Sequence, residues 1–127
     1  MNKVIVAGRL AKEVEVRILP SGQAAARVPI AINEFFKDKS GEWKERTSYV
    51  DIEVYGSLAE RLTRLNKGDK ILLEGKIRQD LFEDKEGKVR EKVKIIANRI
   101  QLLAKPKAKN NNQKETNNKE IDIEDII

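Results

Sequence analysis

Residues 47–65 read TSYVDIEVYGSLAERLTRL, and the period of the apolar residues changes halfway along this stretch. In the first half apolar and polar residues alternate, which is typical of a strand with one buried face. The apolar set is Val50, Ile52 and Val54, and the opposite set is Tyr49, Asp51, Glu53 and Tyr55. We therefore predict a strand over residues 49–55 whose outer face carries two tyrosines.

A short helix is predicted directly after this strand. Gly56 breaks the strand, and Ser57 followed by Glu60 matches a capping box, in which each side chain binds a backbone N–H of the first turn. Leucines then recur at helical spacing, at positions 58, 62 and 65. Gly68 follows and is expected to end the helix in a left-handed conformation.

Four other segments carry the apolar pattern of strands, and they are residues 3–18, 24–35, 70–82 and 89–102. Gly8 and Gly75 stand where a long strand could bend around a small barrel, and Pro29, which lacks an amide donor, implies an edge or a bulge. In the segment 70–82 the residues expected to point inward are Ile71, Leu73 and Ile77. Hairpin tips are predicted at residues 38–41 and 84–87, and the last strand is expected to be interrupted.

The count is five strands, with one short helix between the third and the fourth. In a small all-β protein this helix placement fits a five-stranded OB-fold barrel, whose open face and hairpin loops bind oligonucleotides. Other small barrels fit the same count of strands.

The 127-residue chain contains no cysteine and no histidine. This excludes disulfides, thiolate nucleophiles and the usual zinc or haem ligands, so we expect no cofactor. Charged residues make up 37% of the chain, and no apolar run approaches the roughly 18 residues of a membrane span, which favours a soluble intracellular protein.

The composition divides the chain into a folded domain at residues 1–104, a flexible linker at 105–120 and an acidic tip at 121–127. The linker is rich in Asn and Lys, and its scarcity of apolar residues predicts disorder. The whole net charge of +5 lies in residues 1–104, because basic and acidic residues balance in the remainder. A basic domain of this size suggests a polyanionic partner.

All six aromatic residues lie between positions 35 and 82. Aromatic residues of a small barrel usually fill its core, but Tyr49 and Tyr55 fall out of phase with the core set. Phe36 and Phe82 stand at the bases of the two predicted hairpins, beside basic residues, which are Lys37, Lys39, Arg78 and Lys85. Exposed rings among cations are typical of proteins that bind single-stranded nucleic acid, where bases stack on the rings and cations neutralise phosphates.

The chain resembles the bacterial single-stranded DNA-binding proteins of the OB-fold type. The resemblance covers residues 2–104 and the acidic tip. The segments that carry it are NKVI at 2–5, EVR at 15–17, PSG at 20–22, GEW at 41–43, TSY at 47–49, VYG at 54–56, LAE at 58–60, KG at 67–68 and EG at 74–75.

This resemblance implies a non-enzymatic protein that coats and protects single-stranded DNA in replication, recombination and repair. It implies a homotetramer, or at least a dimer, in the cytoplasm and associated with the nucleoid. The four base-stacking positions of the family hold Phe36, Tyr49, Tyr55 and Phe82 here, and Trp43 and Lys67 join the hairpin cations as residues expected to support the DNA. Replication and repair proteins are expected to bind the tip, through Asp122, Ile123, Glu124, Asp125, Ile126 and Ile127.

The departures from the pattern of the family include a pair of carboxylates and the end of the tip. Asp51 and Glu53 share the face of the two tyrosines, where carboxylates would repel phosphate unless Lys or Arg residues neutralise them. Similar proteins end in Pro-Phe, whereas this tip ends in Ile126-Ile127, which predicts partner recruitment with altered specificity.

Two other functions stay open at this point. Asp51 and Glu53 project from one strand face and could hold a divalent cation in a nuclease, although no histidine and no matched third ligand accompany them. The second open function is that of an OB-fold adaptor that binds protein, or RNA instead of DNA, since a fold alone does not determine function.

Overall fold

The computed structural model describes residues 1–106, which form six strands and one helix. The elements are β1 (Val4–Leu10), β2 (Glu15–Ile18), β3 (Ala24–Lys37), β4 (Trp43–Tyr55), α1 (Ser57–Leu62), β5 (Lys70–Glu83) and β6 (Val89–Ala104). Six strands appear where five were predicted because the first predicted strand is divided in two. Both halves, β1 and β2, pair with the same strand, β3.

The strands close into a barrel. Their order is β1-β5-β6-β4-β3-β2, and an additional pairing of β1 with β3 joins the two ends. With β1 and β2 counted as one interrupted strand, this is a five-stranded barrel with one helix between its third and fourth strands. The predicted all-β OB-fold class is confirmed.

The interruption between β1 and β2 lies opposite Pro29. Leu10 is paired with Ile30 and Glu15 with Arg27, so the four residues at 11–14 between β1 and β2 stand opposite only two residues of β3. Pro29 has no amide hydrogen to donate there, but its carbonyl oxygen accepts a hydrogen bond from the Ala11 amide at 2.9 Å. The edge or bulge predicted from Pro29 corresponds to this interruption between β1 and β2.

The core follows the alternation of the sequence. Even-numbered residues of β3 from Ala24 to Ile32 and of β4 from Val50 to Val54 point into the barrel. The helix α1 packs over it through Ala59 and Leu62, both of which are buried. The buried apolar set is Leu10, Ala24, Ala26, Val28, Ile30, Ile52, Val54, Ala59, Leu62, Ile71, Leu73, Ile95 and Ala97.

The inward position predicted for Ile77 is wrong, since this residue is 49% exposed. The pairing of β1 with β5 stops at Val4 and Gly75, so Ile77 lies beyond the rim of the barrel. There the side chain of Asn2 bonds both the amide and the carbonyl of Ile77, at 2.9 and 2.8 Å. The interruption predicted in the last strand is a bulge, in which Asn98 is left unpaired between Ala97 and Arg99.

The capping box predicted for the helix is also wrong. The N-cap is Gly56, with φ of 69°, and no side chain bonds a free N–H of the first turn. Ser57 is already the first helical residue, one position too late to act as the cap. The helix ends at Leu62 after six residues, and Gly68, with φ of 92°, belongs to a later turn in which its amide donates to the Leu10 carbonyl.

Two hairpin arms extend beyond the barrel, and their tips are built in the same way. In the β3–β4 tip, Asp38 Oδ1 accepts from the amides of Ser40 and Glu42, each at 2.9 Å. In the β5–β6 tip, Asp84 accepts the two corresponding amide bonds, at 2.9 and 3.0 Å. Both tips were predicted from the sequence.

The last strand ends at Ala104, and Lys105 Nζ lies 3.3 Å from Asp69 Oδ2, so the first linker residue contacts the domain. The rest of the predicted linker, from residue 107, and the predicted tip at 121–127 lie outside the described residues. Among residues 1–106, no helix is both long enough and apolar enough to cross a membrane.

Candidate nucleic-acid interface

Three strands bring their outward-pointing residues together on one surface. On β4 these residues include Tyr49, Asp51, Glu53 and Tyr55, as the alternation predicted. The parallel pairing of β4 with β6 places Asp51 beside Lys94, and the antiparallel pairing of β6 with β5 places Lys94, Lys92 and Arg90 beside Arg78, Asp80 and Phe82. Because directly paired residues share a face, these three rows form a continuous surface, which we call the outer face.

The acidic residues of the outer face are paired with basic residues of the neighbouring strands. Lys92 Nζ lies 2.6 Å from Asp51 Oδ2. Lys94 Nζ bridges two carboxylates, at 2.5 Å from Glu53 Oε2 and 2.6 Å from Asp80 Oδ2. Arg78 lies 3.8 Å from Glu53 and 3.4 Å from Asp80. Three carboxylates are thus offset by three cations, and the outer face is not acidic.

The pair formed by Glu53 and Lys94 is well shielded, since each side chain is only 12% exposed. Burial by itself would raise the pKa of Glu53, but hydrogen bonds from Lys94 and from the Tyr55 hydroxyl, at 2.6 Å, outweigh it and lower that pKa. Burial likewise opposes the charge of Lys94, but its bonds to Asp80 and Glu53 raise its pKa. Both groups therefore stay charged at neutral pH.

Acid is expected to weaken the fold through Glu53. Its folded-state pKa lies below the ordinary value of 4.5, so this stabilisation is fully present above that value and is lost as the pH falls through the folded-state pKa. The denaturant concentration at the unfolding midpoint should therefore decrease as the pH is lowered below about 4.5. Glu53→Gln should remove part of this fall, whereas Glu45→Gln, an exposed control on the same strand, should retain it. An unchanged acid profile in Glu53→Gln would contradict this assignment.

The aromatic residues of the outer face differ in exposure. Tyr49 is 69% exposed and Phe82 is 49% exposed, whereas Tyr55 is half-buried because its hydroxyl is bonded to Glu53. Exposed rings are surfaces on which planar groups can stack, and the cations around them attract anions. The outer face can therefore bind a planar, anionic polymer.

The β3–β4 arm carries the other predicted aromatic residues on its two sides. Trp43 is 68% exposed and pairs with Lys37, on the side of the arm that also carries Tyr49. Phe36 is 37% exposed and lies on the opposite side, with the Arg46 guanidinium carbon 4.8 Å from the centre of its ring. The structure thus brings Tyr49, Tyr55 and Phe82 onto one face, and a ligand must pass around the arm to reach Phe36 as well.

The predicted cations are spread more widely. Lys39 and Lys85 lie in the two hairpin tips, and Lys67 lies in the α1–β5 connection, where its backbone amide donates to Glu13 at 3.2 Å. Among the described residues, Lys37, Lys39, Lys67 and Lys85 have no ion-pair partner. Arg78 differs from them because it contacts Glu53 and Asp80 within the outer face.

Sequence reasoning missed the basic row of β6. Arg90, Lys92 and Lys94 recur at every second position, the spacing that places side chains on one face of a strand, and this spacing could have revealed them. Lys92 and Lys94 neutralise the carboxylates of the outer face, and Arg90 bonds Asp84 of the hairpin tip at 2.8 Å.

The arrangement does not resemble a cation site. Asp51 and Glu53 are each bonded to a lysine ammonium group, which occupies the position that a metal ion would need. Within residues 1–106 no cluster of three or more acidic residues has the geometry to hold a metal ion.

Comparison with known proteins agrees with this fold. A solved complex of Plasmodium falciparum SSB with single-stranded DNA matches with a TM-score of 0.76 at 24% identity, covering 81% of this chain and 95% of that one. A deletion mutant of the single-stranded DNA binding protein from Thermus aquaticus matches with a TM-score of 0.72 at 29% identity, covering 81% of this chain and 50% of that one.

Sequence comparison shows the family. The single-stranded DNA-binding protein of Aquifex aeolicus is 39% identical over 108 residues, which are 84% of this chain and 73% of that protein. The Deinococcus radiodurans protein of the same name is 33% identical over 105 residues, and the chain spans only 35% of its length. A model of the Single-strand binding protein family matches residues 1–103. The chain therefore belongs to the single-strand binding protein family.

Proposed function

We propose that this protein is not an enzyme and that it binds single-stranded DNA with little regard to sequence, coating and protecting it during replication, recombination and repair. The observation that carries the proposal is the outer face, on which exposed rings stand beside carboxylates already neutralised by lysines. Relatives that bear the name of single-stranded DNA-binding proteins support it.

The geometry favours a single strand over a duplex. Bases expose their flat faces only when they are not stacked inside a double helix, and every base has such a face, so stacking on rings tolerates any sequence. On the outer face, bases would stack on Tyr49, Tyr55 and Phe82. A strand that continues around the β3–β4 arm would reach Phe36.

Phosphates would be neutralised by the lysines that have no ion-pair partner in the described part of the chain. These are Lys37 and Lys39 on the first arm, Lys85 on the second, and Lys67 beside the helix. Trp43 supports the DNA from the base of the first tip. We assign Arg78 chiefly to neutralising Glu53 and Asp80, because it already lies close to both.

We further propose that the protein works as a homotetramer and that residues 122–127 recruit replication and repair proteins. Exposed apolar residues on the outward sides of β1 and β5 support association between copies, since Ile5 is 61% and Leu72 is 36% exposed. The tip combines three carboxylates with four isoleucines over residues 121–127, which suits a basic, apolar docking site on a partner.

Removing the Phe82 ring should weaken binding to single-stranded DNA. Loss of one stacking ring costs about 1–3 kcal/mol, a value known from OB-fold single-strand binders, this family among them. Phe82→Ala should therefore raise the Kd for a fluorescent oligo-dT by roughly 5- to 150-fold. The neighbouring Leu81 is 68% exposed and points to the other side of β5, so Leu81→Ala is a matched control and should leave the Kd unchanged. Equal effects of the two substitutions would contradict the stacking role.

A further inference from the structure

The short strand β2 has one free edge. Among the strands of the described part of the chain it pairs only with β3, so it stands at the end of the sheet. All four of its residues are exposed, and two of them are apolar, Val16 at 46% and Ile18 at 67%. An exposed strand edge that carries apolar side chains can accept a further strand.

The pairing with β3 fixes which backbone groups face this edge. The Leu19 amide donates to the Gln23 carbonyl at 2.9 Å, and these two residues continue the register of β2 with β3. Hydrogen-bonded pairs alternate with non-bonded pairs in an antiparallel ladder, so Arg17 and Glu15 bond to β3 as well. The N–H and C=O groups of the two apolar residues therefore point away from β3, toward the free edge.

The sequence at this edge is complementary to itself. From Val14 to Ile18 it reads VEVRI, in which an acidic and a basic residue flank a central valine. Two copies that pair antiparallel about Val16 place Glu15 of each opposite Arg17 of the other. They also place Val14 opposite Ile18. Opposite charges and β-branched side chains on directly paired residues both stabilise a sheet.

The neighbouring registers are disfavoured by geometry or by charge. A shift of one residue would set a backbone group that faces the edge against one that faces β3, which an antiparallel ladder does not allow. A shift of two residues places Glu15 opposite Glu15 or Arg17 opposite Arg17, and like charges directly opposite each other are destabilising. Charges on a strand edge usually prevent pairing, but this arrangement admits one register.

Both charged side chains are available for pairs between copies. The Glu15 side chain is 77% exposed, and its ion pair with Arg27 is long, at 3.9 Å. Arg17 has no ion-pair partner within residues 1–106. A carboxylate and a guanidinium group from another copy would therefore not have to displace a close ion pair.

We propose that two copies of this chain associate by antiparallel pairing of their β2 edges, with Val16 on the two-fold axis between them. The contact is isologous, because each copy contributes the same residues in the same way. Strands of four residues bury far less than the roughly 1,000 Å² of a stable interface, so the pairing is weak and depends on a high local concentration. It uses neither β1 nor β5, and it does not depend on the proposed DNA binding.

Disulfide trapping in the full chain, without DNA, tests the pairing. The sequence has no cysteine, so Val16→Cys provides one thiol, which the proposed register places opposite the same thiol of another copy. The Cα atoms of such a hydrogen-bonded pair are about 5.5 Å apart, which a disulfide can bridge. Ile18→Cys is the matched control, because Ile18 is even more exposed but stands opposite Val14.

The rate of covalent dimer formation is compared between the two variants under a mild oxidant. Each rate is divided by the rate at which the same thiol reacts with a small-molecule disulfide, which corrects for access to the thiol. We expect Val16→Cys to form the dimer roughly tenfold faster than Ile18→Cys. Equal rates, or slow trapping by both thiols because another segment or a foreign peptide covers the edge, would overturn the proposal.

Charge reversal in the Val16→Cys chain tests the register. Arg17→Glu sets carboxylates opposite each other, and Glu15→Arg sets guanidinium groups opposite each other, so each change should slow the trapping. Mixing these two variants restores opposite charges between unlike chains and should restore the rate. Arg64→Glu makes the same change in charge as Arg17→Glu at an exposed position outside β2 and should leave the rate unchanged. A mixture that traps no faster than its two components would contradict the pairing of Glu15 with Arg17.

Discussion

Replacement of Gly75 by alanine is expected to destabilise the barrel by about 3 kcal/mol or more, because there is no space for a methyl group at this position. A Cβ atom on Gly75 would lie 2.2 Å from the carbonyl oxygen of Ile96 and 2.8 Å from Cα of Ala97. Both atoms belong to the backbone of β6, which pairs with β5 at the bulge, so neither can move without separating the two strands. The variant should unfold at a much lower urea concentration.

The matched control is Gly87→Ala. Gly87 has φ of 80° but no atom within 4 Å of an added Cβ, so its substitution tests backbone strain without a clash. It should cost only about 1–2 kcal/mol. Urea midpoints should be compared at one protein concentration, since assembly of copies would contribute to stability. Equal losses in the two variants would show that the close approach at Gly75 is not what limits this position.

Lys94→Met is expected to reduce both stability and DNA affinity. Methionine keeps most of the length of the side chain but leaves Glu53, only 12% exposed, without its closest cation. An uncompensated charge at such a site costs several kcal/mol when fully buried, and we expect about 2–3 kcal/mol here because some solvent reaches the pair. The same change removes one positive charge from the outer face, which should weaken its attraction for the phosphates of a bound strand.

Two further variants isolate the cause of this loss. Lys92→Met removes the ammonium group bound to Asp51, but Lys92 is 46% exposed, so the stability loss should stay below about 1 kcal/mol. Adding Glu53→Gln to Lys94→Met should recover part of both losses, because the uncompensated charge is then removed as well. A double variant no more stable than Lys94→Met would contradict the ion-pair explanation.

The alternation of apolar residues was sufficient to predict the barrel. Four of the five strand segments, the two hairpin tips and the place of the helix were predicted correctly, because side chains that alternate in sequence must alternate between the two faces of a strand. The first segment is divided into β1 and β2. The errors concern limits that depend on distant residues. Ile77 follows the inward pattern of Ile71 and Leu73, but β1 ends too early to cover it. Ser57 matches a capping box, but the positive φ of Gly56 starts the helix one residue earlier than the pattern requires.

The sequence predicted where two of the rings point but not how the carboxylates beside them are neutralised. The outward positions of Tyr49 and Tyr55 follow directly from the period of β4. The neutralisation of Asp51 and Glu53 could not be predicted, because the lysines responsible stand more than 35 positions later in the chain and reach β4 only through the parallel pairing of β4 with β6. Whether a carboxylate repels phosphate depends on such neighbours and not on its own identity.

The most direct test of the account is a titration of the full chain with fluorescent oligo-dT and with duplex DNA of equal length, each at low and at physiological salt. A neutralised outer face with exposed rings predicts tight binding to the single strand that weakens with salt, and little binding to the duplex. Weak binding, or equal binding to the two forms of DNA, would contradict the account. It would mean that Asp51 and Glu53 still repel the strand, and the adaptor function would then be the better explanation of this fold.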